Sequence, residues 1–170
     1  TAGGCCHGDV ALVEAENSLR CFYRLADLGV PFPHNERGGF VGYKTDHDPR
    51  QRATSAGPWT SRFMVQKLRA ELERYGLSVF GRHYVLAVIC AGEGAECAAC
   101  GLLCADIERQ DAPDGGLVLF NCRNVVVAGG GPGELYEISV SPRGQMGPYA
   151  PLLEAGALAH NLTESQFGLA

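Results

Sequence analysis

The sequence predicts an α/β fold, and three observations carry that assignment. Residues 9–28 and 60–75 place apolar groups at the 3.6-residue period of a helix. From Leu77 onward the pattern turns to short apolar runs separated by glycine-rich turns, which marks strands. The run Val125-Val126-Val127 then ends in Ala128-Gly129-Gly130-Gly131-Pro132-Gly133, three β-branched residues followed by a glycine cluster. At 170 residues the chain is about one domain long. It reads as one segment in three stretches: helices and a long excursion over 9–76, strands over 77–128, and a glycine-rich turn with a tail over 129–170.

The first helix is expected to begin near Asp9, an acid suited to the positive end of the helix dipole. It carries Leu12, Leu19, Phe22 and Leu25 and stops at Gly29. Pro31 and Pro33 force an extended exit. Residues 33–59 are polar and aperiodic, including Asn35-Glu36-Arg37-Gly38-Gly39 and Asp46-His47-Asp48-Pro49, and read as a surface excursion with one short hairpin. Loops this long inside a domain tend to be functional or to lie over a site. The second helix, Thr60 to Tyr75, sets Met64, Leu68, Leu72 and Tyr75 on one face, with Gly76 as its left-handed stop. Five strands follow, at 77–80, 84–90, 101–108, 117–121 and 124–128, the last fully buried. Asp114-Gly115-Gly116 makes a hairpin turn. Strand, helix and strand over 60–90 suit a parallel edge, and the strands after it form an antiparallel meander. A short helix over Leu152 to Leu158 closes the series.

Glycines at a strand end let main-chain N–H groups approach a phosphate or a flat ring with no Cβ in the way. Gly129 and Gly131 match the first two glycines of the dinucleotide fingerprint G-x-G-x-x-G, but Glu134 stands where the third belongs. A carboxylate there would repel a pyrophosphate and obstruct close helix packing. The stretch is therefore a glycine-rich strand end and not the first turn of a Rossmann fold.

Val125 to Tyr136 resembles instead the second FAD-contacting motif of the fumarate reductase and succinate dehydrogenase flavoprotein family, V-V-x-A-T-G-G-x-G-x-x-Y, with Gly129 in place of the threonine. Leu25 to Phe32 resembles that family's L-x-x-x-G-V-P-F, and His83 to Ile89 its strand before a small β meander. Ala155-Gly156-Ala157 and Glu164-Ser165-Gln166-Phe167 resemble its G-A and F-V-Q-Y-H-P. The resemblance implies a partial FAD-binding (Rossmann-like) domain, lacking the family's N-terminal βαβ and its capping domain. FAD would be the cofactor of a longer oxidoreductase that passes a hydride through the flavin to an unidentified small-molecule substrate. It implies that Tyr84 and Val85 offer main-chain groups to adenine, and that Ala128, Gly129, Gly130 and Gly131 lie beside the flavin. Plain strand core is the other reading of the first pair, and a packing-driven turn the other reading of the glycines. Gly168 stands where the family has a dicarboxylate-binding histidine, so fumarate and succinate are not expected substrates.

A net charge of −5 disfavours nucleic acid as a partner. The densest basic stretch, Arg50, Arg52, Arg62, Lys67 and Arg69, is interspersed with acidic chain and faces solvent. No apolar run reaches the roughly eighteen residues of a membrane span, and the expected compartment is the cytoplasm. The eight cysteines allow one rival of a different class, a small metal-binding module on Cys90, Cys97, Cys100 and Cys104. The second half of a paired C-x-x-C is missing, however, and Cys104 falls in an alternating strand pattern, so the thiols read as structural and metal-free. A non-catalytic interaction domain with a degenerate nucleotide fold is a third reading.

Overall fold

The computed structural model describes residues 4–45, 48–139, 141 and 143–164. The chain divides into two compact units, Thr1–Val79 and Phe80–Ala170.

The first unit holds helix α1 (Gly8–Asp27), strands β1 (Tyr43–Thr45) and β2 (Asp48–Ala53), and helix α2 (Thr60–Arg74). α1 ends because Gly29 takes φ +86°. That left-handed turn lets the Gly29 N–H donate to the Ala26 carbonyl and the Val30 N–H to that of Leu25, closing the last turn of the helix. Val30 and Phe32 are thereby drawn inward and form the buried part of this unit. The Phe32 ring sits 4.8 Å from Phe22 of α1, and Phe40 lies edge-on to Phe22 at 4.7 Å. α2 stops by the same device, with Gly76 at φ +68°. Arg24 of α1 donates to Glu71 of α2 at 2.7 Å. Within the expected surface excursion β1 and β2 pair antiparallel, Tyr43 opposite Ala53.

The second unit is a three-stranded antiparallel sheet in the order β3 (His83–Ala91), β4 (Ala98–Asp106), β5 (Leu117–Asn121), followed by the short helix α3 (Tyr149–Glu154). β4 is central, and its Cys104 is buried, 2% exposed. Two one-residue bulges break the β3–β4 ladder, because Val85 faces Cys104 while Ala87 faces Leu103, and Ile89 faces Gly101 while Cys90 faces Ala99. Asp114 organises the β4–β5 connection by accepting from the Gly116 N–H and from Arg109, each at 3.0 Å.

The structure corrects four expectations. Residues 77–80 join no ladder; Phe80 packs its ring on Phe120 at 4.9 Å instead. No parallel edge exists among the described residues, since every pairing of the sheet is antiparallel. Residues 124–128 are not a buried fifth strand: they carry no regular structure, and Val126 is 91% exposed. The Cys122 N–H makes a last bond to the Cys100 carbonyl and the chain then leaves the sheet. The final helix begins three residues earlier than its apolar pattern suggests and ends before Gly156, which takes φ +90°.

Candidate functional site

A cleft of about 370 Å³ opens within the second unit. β3 contributes Tyr84, Val85 and Val88, and β4 contributes Leu102. The irregular stretch 125–129 forms a second wall, residues 144–148 a third, and Pro151 and Leu152 of α3 complete the lining. The bulge at Leu86 shifts the alternation of β3 at this point, so that Val85 and Val88, three residues apart, both face the cleft with Leu102.

Four of the six residues expected at a cofactor site, Tyr84, Val85, Ala128 and Gly129, line this one cleft, and Gly130 and Gly131 do not. Stretch 125–129 belongs to no sheet among the described residues, so no ladder commits its N–H and C=O groups. The lining carries no charged side chain; its polar groups are the Tyr84 hydroxyl, the Gln145 amide and the backbone. Such a surface suits a flat, largely apolar ring with hydrogen-bonding edges and offers no cation to a phosphate.

The wall at 144–148 was not legible in the sequence, and it explains much of the glycine cluster. A Cβ at Gly129 would lie 3.0 Å from two carbons of the Pro148 ring. One at Gly147, which has φ +73°, would lie 2.9 Å from the Tyr149 ring and 3.2 Å from the Gly131 carbonyl carbon. One at Gly133 would overlap the Ser141 side chain. Gly131 faces open space. Glycines 129, 133 and 147 thus allow two loops to press together, while Gly130, at φ +73°, allows the turn between them. Glu134 clasps the loops: its carboxylate accepts from the Gly144 N–H, and its own N–H donates to the Gln145 carbonyl at 3.1 Å. The residue that breaks the dinucleotide fingerprint is thereby a strut of the cleft wall.

Other candidates lie elsewhere. Among the described residues no group of three or more His, Cys, Asp or Glu side chains is placed to hold a metal ion. Cys104 is buried among the strands, whereas Cys90 and Cys97 are exposed, so the four-cysteine module is not assembled. His83 bonds the Gly81 carbonyl at 2.8 Å through Nδ1 and meets Phe80 and Phe120 edge-on. His7 and His160 are exposed. Gln166 and Gly168 of the tail and His47 fall outside the described residues. No helix among the described residues is long and apolar enough to cross a membrane. In comparisons with known proteins, no family model and no curated protein matches this chain.

Proposed function

We propose that this chain is the FAD-binding segment of a flavin-dependent oxidoreductase resembling the fumarate reductase and succinate dehydrogenase flavoproteins, and that its cleft holds the isoalloxazine ring. The observation that carries the reading is the meeting of Tyr84 and Val85 with Ala128 and Gly129 around one uncharged cleft. Ala128 and Gly129 lie where the resemblance implies the flavin, whereas Tyr84 and Val85, which it implies at the adenine, wall the isoalloxazine ring in this proposal. Bound flavin would supply hydride transfer, and the protein's part is to seat and orient the ring. Val88, Leu102, Met146 and Leu152 exclude water from its faces, and the backbone of 125–129 meets its polar edge. The residues fit the ring and do not fit the pyrophosphate, for which the cleft has no cation. In this proposal a small-molecule substrate other than fumarate or succinate receives or gives the hydride, in the cytoplasm.

The test is a fluorescence titration of the purified chain with riboflavin, with adenosine as competitor. Riboflavin should bind and Ala128→Leu, which fills the cleft from an exposed position, should weaken it at least about tenfold, or about 1.4 kcal/mol. Tight adenosine binding with none of riboflavin reassigns the cleft to a purine, and binding of neither overturns the reading.

A further inference from the structure

The cleft wall holds one side chain whose hydrogen bonding is incomplete. Of the described side chains lining the cleft, Gln145 alone carries an amide. Its main chain is held on both sides. The Met146 N–H donates to the Gly144 carbonyl at 2.9 Å, which closes a three-residue turn with Gln145 at its apex. Gly144 enters that turn at φ +83° with its N–H given to the Glu134 carboxylate, and the Gln145 carbonyl accepts from the Glu134 N–H at 3.1 Å. The side chain is less committed. Its Nε2 donates to the Gly131 carbonyl at 3.5 Å, longer than an ordinary bond, and no donor among the described residues reaches its oxygen. The Gly131 carbonyl already accepts from the Gly133 N–H at 2.9 Å, so the amide can leave it without stranding an acceptor. Gln145 is half-buried. An amide drawn out of water with its oxygen unpaired is costly until a partner arrives.

We propose that Gln145 is a specificity-determining residue of the cleft and reads a cyclic imide edge, the carbonyl, N–H and second carbonyl in a row on the pyrimidine end of the isoalloxazine ring. The inference rests on the flavin reading of the cleft. A primary amide sets a donor beside an acceptor. The Gln145 oxygen accepts from the ring N3–H while Nε2 donates to the adjoining ring carbonyl, two parallel bonds of the kind by which glutamine reads a base edge. The backbone of 125–129 meets the remainder of the polar edge. The held main chain makes the pairing selective, because the turn and the Glu134 clasp exist before the ligand arrives and only the side-chain torsions remain to be fixed. The amide lies over the glycine turn, 3.4 Å from where a Cβ on Gly130 would stand, so a larger residue there would crowd it.

The experiment titrates the wild type and Gln145→Met with riboflavin and with 3-methylriboflavin, in which a methyl group replaces the N3 hydrogen, and follows flavin fluorescence. The wild type should bind the methylated flavin at least about tenfold more weakly, because the Gln145 oxygen then meets a methyl and the bond beside it is displaced. Gln145→Met, of similar length but with no amide, should bind the two flavins within a factor of about two; Gln145→Leu gives the same comparison should the methionine variant not fold. Equal binding of the two flavins by the wild type overturns the inference and leaves the flavin reading standing. A tenfold discrimination that survives in the variants also overturns it, because the edge would then belong to the backbone. Binding of neither flavin by the wild type overturns both.

Discussion

Pro148 packs against Gly129 so closely that a Cβ added there would come 3.0 Å from its ring, and this contact joins the glycine cluster to the loop before α3. A threonine at Gly129, as in the motif that this stretch resembles, would not fit without movement of a proline ring. The rest of the cleft wall follows from this pairing.

Gly129→Thr should therefore destabilise the second unit by ~1–3 kcal/mol through overpacking. Gly131→Ala, whose Cβ would enter open space, should change stability by less than about 0.5 kcal/mol. Urea unfolding of both variants checks the contrast. Equal midpoints would show that Pro148 yields freely and that the contact does not shape the wall.

FAD should bind the chain no more tightly than riboflavin, within a factor of about three, because no cation lines the cleft to reward the pyrophosphate. Parallel titrations followed by flavin fluorescence decide it. A tenfold or greater preference for FAD would reveal a phosphate site beyond the cleft lining.

Glu71 accepts from Arg74 on its own helix and from Arg24 on α1, and these partners hold its carboxyl below the usual range. A depressed folded pKa stabilises the folded chain above the unfolded value, about 4.3, and that contribution is lost as pH falls through the folded value. Glu71→Gln should accordingly be less stable than wild type at pH 7, with the gap closing below about pH 4. Thermal melts across pH 2.5–7 measure the gap, on the order of four pH points sufficing. A gap independent of pH would mean that packing, not charge, joins the residue to its neighbours.

Cys104 should be the last of the eight cysteines to alkylate in the native protein, since burial on the central strand both shields the thiol and pushes its pKa up. Timed iodoacetamide labelling with mass spectrometry gives the order. Cys104→Ser should cost ~1–3 kcal/mol, because a hydroxyl is harder to bury than a thiol. Early labelling of Cys104 would show that the strand pairing opens readily.

Local features determined what the sequence by itself could specify. The 3.6-residue period located α1 and α2 to within a residue or two, and Gly29 and Gly76 marked their ends because only a residue free of Cβ takes φ near +70° to +90° cheaply. The meander was legible in its alternating apolar runs. Tyr84, Val85, Ala128 and Gly129 were legible as candidates from motif resemblance alone. Tertiary structure decided the rest, because contacts between distant residues leave no local period. Val125-Val126-Val127 has a buried strand's composition, yet among the described residues no neighbouring edge pairs with it, and Val126 stands in solvent. Glu134 looked like an obstacle to a ligand until Gly144, ten residues on, was found to bind its carboxylate. Cys90 lies opposite Ala99, nine residues on, because a hairpin brings distant residues together.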